Sequence, residues 1–261
     1  MWLNTQNNVK RTTPIRRWLS RTAAVIFTAR TQGLVVVDLL RLWARLRCAG
    51  RRNLIPEKPL LHLGCGKRHV DGWLNVDVTG SDFDLDLASG RLPWRDEVFD
   101  AVVSQHFIEH IEMEEQLIPL LHEIRRVLKP GGEVWLSCPD MEFLCRVYVE
   151  GRIADLLQDR RMRFPDYPFS AMGDPDLPPQ HVVNHLFHQL GQHKNLYDCD
   201  LLAWALGKAG FSQIERVVEA DLLQRFPRFS PRNDDSYSLL VRARSSTSFN
   251  SARIPNSRES I

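Results

Sequence analysis

The sequence predicts an α/β fold: a doubly wound, mostly parallel seven-stranded sheet with the last strand antiparallel, preceded by a helical arm. Three observations predict it. Short apolar runs alternate with helical periodicity through the middle of the 261-residue chain, the pattern of right-handed crossovers under a sheet covered on both faces. The first run stops at Gly64-Cys65-Gly66, where a strand would hand its carboxyl end to a tight turn. The last two runs have no helical pattern between them, so an antiparallel pair is expected there.

The elements follow in order. Thr13-Pro14 reads as a helix start, and helical periodicity continues to about residue 46. Trp18, Val25, Ile26, Val36, Leu40 and Trp43 fall on one side, Arg16, Arg30, Arg41 and Arg45 on another, and Gly33 is a candidate interruption. Residues 60–63 form a buried strand; 73–78, 84–87 and 99–104 are the second, third and fourth. Residues 112–128 are the clearest helix, because Leu117, Leu120, Leu121, Ile124, Val127 and Leu128 share one face. Lys129-Pro130-Gly131-Gly132 ends it with a cation, a breaker and glycines. Residues 133–137 are strand five, 140–150 and 201–209 are helices, and 211–218 and 237–243 are the last strands.

The formal charge of +2 hides a split. Residues 1–52 carry eleven Lys/Arg against the single acid Asp38, whereas residues 53–244 are net acidic. The chain therefore divides into a basic amphipathic arm (1–52), a folded domain (53–244) and a tail (245–261) without periodicity, expected to be disordered. The domain shows no basic, aromatic-studded groove, so a nucleic-acid partner is not expected. Five cysteines without a CxxC pair fit a reducing compartment. No secretory signal and no run of 18 apolar residues is found. A cytoplasmic protein is expected, with residues 14–47 either lying at the inner face of a membrane or packing on the domain or in a homodimer.

In open α/β sheets a ligand sits beyond the carboxyl ends of the strands at the switch point. Gly64 and Gly66 let the backbone approach a ligand there. Strand two ends in Asp77, an acid suited to two ribose hydroxyls, and strand three runs to Asp86-Leu87, placed for an adenine edge. In that order these features outline an adenosine pocket.

Here the sequence resembles the class I S-adenosylmethionine (SAM)-dependent methyltransferases, particularly the small bacterial methyltransferase-domain type. The matching segments are LHLGCGKR (61–68), NVDV (75–78), DLASGRLPWRDEVFD (86–100), QHFIEHI (105–111), LHEIRRVLKPGG (121–132) and EVWLSCPD (133–140). The resemblance covers about residues 58–243 and implies a Rossmann-like fold with SAM as cofactor. It implies that Gly64, Cys65 and Gly66 pass under the methionine part, that Asp77 holds the ribose, and that Asp86 and Leu87 meet the adenine. Gln105 and His106 would lie near the sulfonium and the methionine carboxylate. A short connection after strand one departs from longer members.

Methyl transfer from a sulfonium needs mainly alignment, and a base only where the acceptor must lose a proton. The candidates are His106, His110 and Asp140, with His110 and Asp140 where the acceptor should bind. Residues 163–195 read as a lid or acceptor insert, with five prolines between 163 and 180. His181, His185 and His188 share a helix face, with His193 beyond; they are read as a polar face, and no metal is assigned. Cys65 is given no nucleophilic role. The expected acceptor is a small molecule, a sugar or a lipid-linked glycan, methylated on oxygen or nitrogen. Two other readings stand beside this one. A nicotinamide-dependent oxidoreductase is disfavoured by His69 in place of the third glycine of GxGxxG. A SAM-binding module without chemistry is the other.

Overall fold

A computed structural model describes residues 29–163, 178, 180–234 and 236–245. The elements are α1 (Ala29–Cys48), β1 (Leu60–Leu63), β2 (Leu74–Asp77), β3 (Phe83–Asp84), β4 (Phe99–Gln105), α2 (Ile118–Val127), β5 (Leu128–Pro139), α3 (Met141–Val149), α4 (Ile153–Arg163), α5 (Gln180–His188), α6 (Cys199–Lys208), β6 (Phe211–Val217), α7 (Glu219–Arg225) and β7 (Ser238–Ser245). They form one seven-stranded sheet in the order β3-β2-β1-β4-β5-β7-β6. Strands β1 to β5 pair in parallel, and β7 runs antiparallel between β5 and β6. The strand order reverses between β1 and β4, so the two carboxyl ends diverge there and leave a crevice.

The central strands are apolar on both faces, as a doubly covered sheet requires. On β4, Val102 points to the layer that holds Leu121, Ile124 and Leu206, whereas Ala101 and Val103 point to Trp73, Trp135, Phe226 and Phe229. A smaller cluster, including Leu144, Val147, Ile153, Leu156, Val182 and Leu186, joins α3, α4 and α5. It fixes α5 beside the carboxyl edge of the sheet. The β1–β2 connection is held by a buried polar pair: Asn75 Oδ1 accepts from Val70 N at 2.9 Å and faces His62 Nδ1 at 3.2 Å.

Several expectations change in detail. The third strand is only Phe83–Asp84, because the Asp86 side chain accepts from Ala88 N and starts a 3-10 turn, Leu87–Ser89. The predicted helix 112–128 begins as a π-turn, Met113–Leu117, before α2. Lys129 to Gly132 fall within the span of β5. The last two strands are antiparallel as expected, yet a short helix, α7, does lie between them; its seven residues show too weak a period to read in sequence. Gly33 does not break α1. Trp18, Val25, Ile26 and Arg16, the tail from 246, and most of the proline-rich segment lie outside the described residues.

The arm meets the domain through charge. Arg41 Nε and Arg45 Nε donate to the two carboxylate oxygens of Asp86 at 3.1 and 2.5 Å, and Arg47 reaches Asp84 at 3.2 Å. Of the arginines expected at lipid headgroups, Arg41 and Arg45 are thus paired with the protein. Leu34, Val35, Val36, Val37, Leu39, Leu42, Trp43 and Leu46 are left exposed.

Candidate active site

The crevice is built from the ends of β1, β2 and β4. Gly64 and Gly66 follow β1 with φ of 65° and 55°, a region that side-chain-bearing residues rarely enter. At Gly64 space is also decisive, since a Cβ there would lie 2.5 Å from the Phe107 side chain. Around Gly66 a Cβ would meet nothing within 4 Å, so this turn is open. Asp77, at the end of β2, shapes the turn: Oδ2 accepts from Gly66 N at 2.8 Å and Oδ1 from Val78 N at 2.6 Å. Cys65 is buried, and burial pushes its thiol up to about 12, so it is inert as a nucleophile. Leu87 is buried in the turn after β3. Asp86 is buried beneath the two arm arginines and caps that turn. Gln105, at the end of β4, is buried, and its carbonyl oxygen Oε1 has no hydrogen-bond partner among the described residues.

Past β4 the chain enters a group of titratable side chains. His106 has φ of 53°, and its N–H donates to Ser137 O at 2.8 Å. Backbone in that region costs energy for any residue but glycine, and such positions concentrate at functional sites. The His106 ring spans three groups: Nε2 is 2.9 Å from Ser238 Oγ and 3.1 Å from Asp234, and Nδ1 is 3.3 Å from Glu109. Burial and Arg232 oppose protonation of His106, but Asp234 and Glu109 outweigh them and raise its pKa. Glu109 is fully buried, which alone would raise its pKa; the imidazoles of His106, His110 and His193 instead pull it down to about 2. His110 packs against His193 with ring centroids 5.0 Å apart. Burial lowers both of these histidines, His193 to about 4.

Asp140 sits differently. Its Oδ1 accepts from Phe143 N at 3.1 Å as the N-cap of α3, and its Oδ2 accepts from Arg216 at 2.5 Å. Both oxygens are therefore engaged.

The structure thus brings Gly64, Gly66, Asp77, Gln105, His106 and His110 to one edge of the sheet. His181, His185 and His188 lie on α5, and only His193 of that histidine group enters the crevice cluster. Sequence reasoning did not single out Glu109, Asp234 or Ser238 as site residues. Glu109 stood inside the QHFIEHI segment and was visible; the other two come from the β7 region, and nothing local marks them.

Residues 83–136 match a family described as methyltransferase domain. Their span takes in β3, β4, α2 and most of β5, and the whole sheet has the seven strands and single reversed strand that the resemblance implies. The match takes in 54 of the 261 residues and lies within this sheet. The chain is 30% identical over 118 residues to human "Probable tRNA methyltransferase 9B", covering 38% of this chain and 25% of the human protein. The mouse protein of the same name matches equally over 26% of its length. The chain spans about a quarter of the length of these curated relatives. Among solved structures, a SAM-dependent methyltransferase from Archaeoglobus fulgidus is 16% identical, with a TM-score of 0.40 over 80% of this chain and 94% of that one. A Haemonchus contortus phosphoethanolamine N-methyltransferase 2 in complex with SAM is 15% identical, with a TM-score of 0.41 over 91% of this chain and 61% of that one.

Proposed function

We propose that the protein transfers a methyl group from SAM to a hydroxyl or amine of a small molecule, a sugar or a lipid-linked glycan. One observation carries the reading: the open glycine turn, the Asp77 carboxylate, the unpartnered Gln105 Oε1 and a set of acid–base side chains meet at a single crevice. These residues fit the cofactor. Gly64, Cys65 and Gly66 leave the backbone bare for its methionine part. Asp77 has further lone pairs for ribose hydroxyls. Gln105 Oε1 is an acceptor that a cofactor ammonium would satisfy. Leu87 lines the adenine end, and Asp86 serves there once its arginines yield or share it. Bound SAM supplies an activated methyl group on a sulfonium.

The chain's own part is to align the acceptor and handle one proton. His110 is the group most available for it, since both ring nitrogens of His106 are already engaged by Ser238, Asp234 and Glu109. Asp140, with both oxygens engaged, is assigned a supporting role: it anchors α3, which with α5 forms the acceptor side of the crevice.

The exposed apolar residues of α1 favour a lipid-linked acceptor met at a membrane surface. No helix among the described residues is long and apolar enough to cross a membrane. The identity to the tRNA methyltransferase relatives favours a second reading, an RNA acceptor. Incubation of the purified full chain with methyl-labelled SAM and lysate, followed by separation into lipid, small-molecule, RNA and protein fractions, distinguishes them. Label in the lipid or small-molecule fraction is expected; label confined to RNA overturns the acceptor class. Co-flotation with anionic vesicles that survives removal of residues 1–52 overturns the role of the arm.

A further inference from the structure

Glu109, His110 and His193 have the composition and spacing of a cation site. Their ligand atoms lie within 4.8 Å of one another, so modest side-chain rotation brings all three onto one ion at the ~2.0–2.2 Å bond lengths of zinc. Proximity alone would be weak. Three further observations make the group a built site.

The two imidazoles are preset as ligands. His110 Nδ1 lies 3.3 Å from Gln192 O, and His193 Nδ1 lies 2.7 Å from Leu186 O. A carbonyl oxygen only accepts, so each ring carries its proton on Nδ1 and leaves a lone pair on Nε2. Backbone carbonyls behind metal-binding histidines perform this task of fixing tautomer and orientation.

The carboxylate is short of partners. Glu109 is 1% exposed. Its Oε1 pairs with His106 Nδ1 at 3.3 Å and lies 4.0 Å from His110 Nε2, whereas Oε2 has no hydrogen-bond partner among the described residues. A buried carboxylate oxygen left without a hydrogen bond is costly, and a bound metal ion satisfies it.

The two segments that supply the ligands are fastened together. Lys194 N donates to Glu109 O at 2.7 Å, and Asn195 Nδ2 donates to Ile111 O at 2.7 Å. This clamp holds His193 against the 109–111 turn although the two lie more than 80 residues apart in the chain.

We propose that Glu109, His110 and His193 bind a divalent first-row transition metal ion of the zinc type. Two nitrogens and one carboxylate oxygen suit such an ion, whereas calcium and magnesium take oxygen. Three protein ligands leave a coordination position open. Glu109 is enclosed, but the His110 side chain is a quarter exposed, so solvent reaches the group from the His110 side. Phe107, two residues before Glu109, touches the glycine turn. The site therefore adjoins the methyl-donor pocket and is suited to hold an acceptor oxygen, favouring its deprotonated form. That role rests on the methyl-transfer reading; binding of the ion does not.

The test uses the full chain, stripped with a chelator and titrated with Co²⁺ alone. One equivalent should bind, with visible ligand-field bands that Zn²⁺ abolishes. X-ray absorption at the metal edge of the Zn²⁺-loaded protein should show two imidazole nitrogens and a carboxylate oxygen. Glu109→Gln and His193→Ala should each weaken Co²⁺ binding at least tenfold, while His188→Ala, on the exposed side of α5, binds as wild type. SAM titration of each variant shows whether it has kept its fold. No Co²⁺ binding by wild type, an all-oxygen shell, or Glu109→Gln binding as tightly as wild type overturns the proposal. The edge spectrum decides the case in which a variant fails to fold. Metal bound without methyl transfer would sink the methyl-transfer reading and leave the site standing.

Discussion

The crevice has two sides that meet water and ligand in opposite ways. On the cofactor side, backbone does the work. Gly64 and Gly66 adopt left-handed turns, and the Asp77 carboxylate ties the turn to β2 by accepting from Gly66 N. On the acceptor side, side chains do the work: a buried carboxylate faces three histidines, and a loop 80 residues downstream closes over it. The first side is a rigid cradle that needs only glycines and one acid. The second gathers charge that burial makes costly and that a ligand would relieve. On the proposed function, recognition of the cofactor would rest on local chain geometry, and acceptor chemistry on groups assembled from distant segments.

Gly64→Ala tests whether the two sides are one unit, because the added methyl meets Phe107 of the acceptor side. Left-handed strain and overpacking together predict a loss of about 3 kcal/mol in stability. Chemical denaturation should show it, with SAM binding abolished. A near-neutral result would mean that the sides move independently.

Next in size is a pH effect beneath the cofactor side. Burial lowers the His62 pKa from 6.5 to about 4, and its bond to Asn75 only partly offsets this. The unfolded chain takes up its proton near pH 6.5, and the folded chain only near pH 4. Stability is therefore whole above about pH 6.5 and falls between there and pH 4, by up to about 3 kcal/mol from this group. Denaturation at pH 7 and pH 4.5 should show a smaller drop for His62→Gln than for wild type. Equal drops would place the acid sensitivity elsewhere.

Asp140→Ala sharpens the contrast from the acceptor side. It removes the cap of α3 and the partner of Arg216. About 2 kcal/mol should be lost, with SAM affinity within twofold of wild type. Asp140→Asn, which can still cap, should lose less. A large fall in SAM affinity for either variant would show that the two sides are not separable.

The same contrast explains how much could be read from sequence. The sheet was legible because each central strand is a short apolar run stopped by glycine or acid, and α2 because its leucines keep one face. Gly64, Gly66 and Asp77 were legible for the same reason, being local punctuation. Strand three was overextended because Asp86-Leu87 looks like strand but the Asp86 side chain caps a turn. Helix α7 was missed because two helical turns carry too little period. The pairing of Arg41 and Arg45 with Asp86 was invisible, since nothing in an amphipathic arginine pattern distinguishes a lipid headgroup from a buried carboxylate. His193 was read only as lying beyond the helix-face histidines of α5, and tertiary contact puts it with Glu109 and His110.

The most direct test is calorimetric titration of the full chain with SAM, and separately with NAD, for wild type and Asp77→Ala. One equivalent of SAM should bind to wild type, ten- to a hundredfold more weakly to Asp77→Ala (about 1.4–2.7 kcal/mol), and NAD to neither. Binding of NAD without SAM, or SAM binding that ignores Asp77, contradicts the assignment of this crevice.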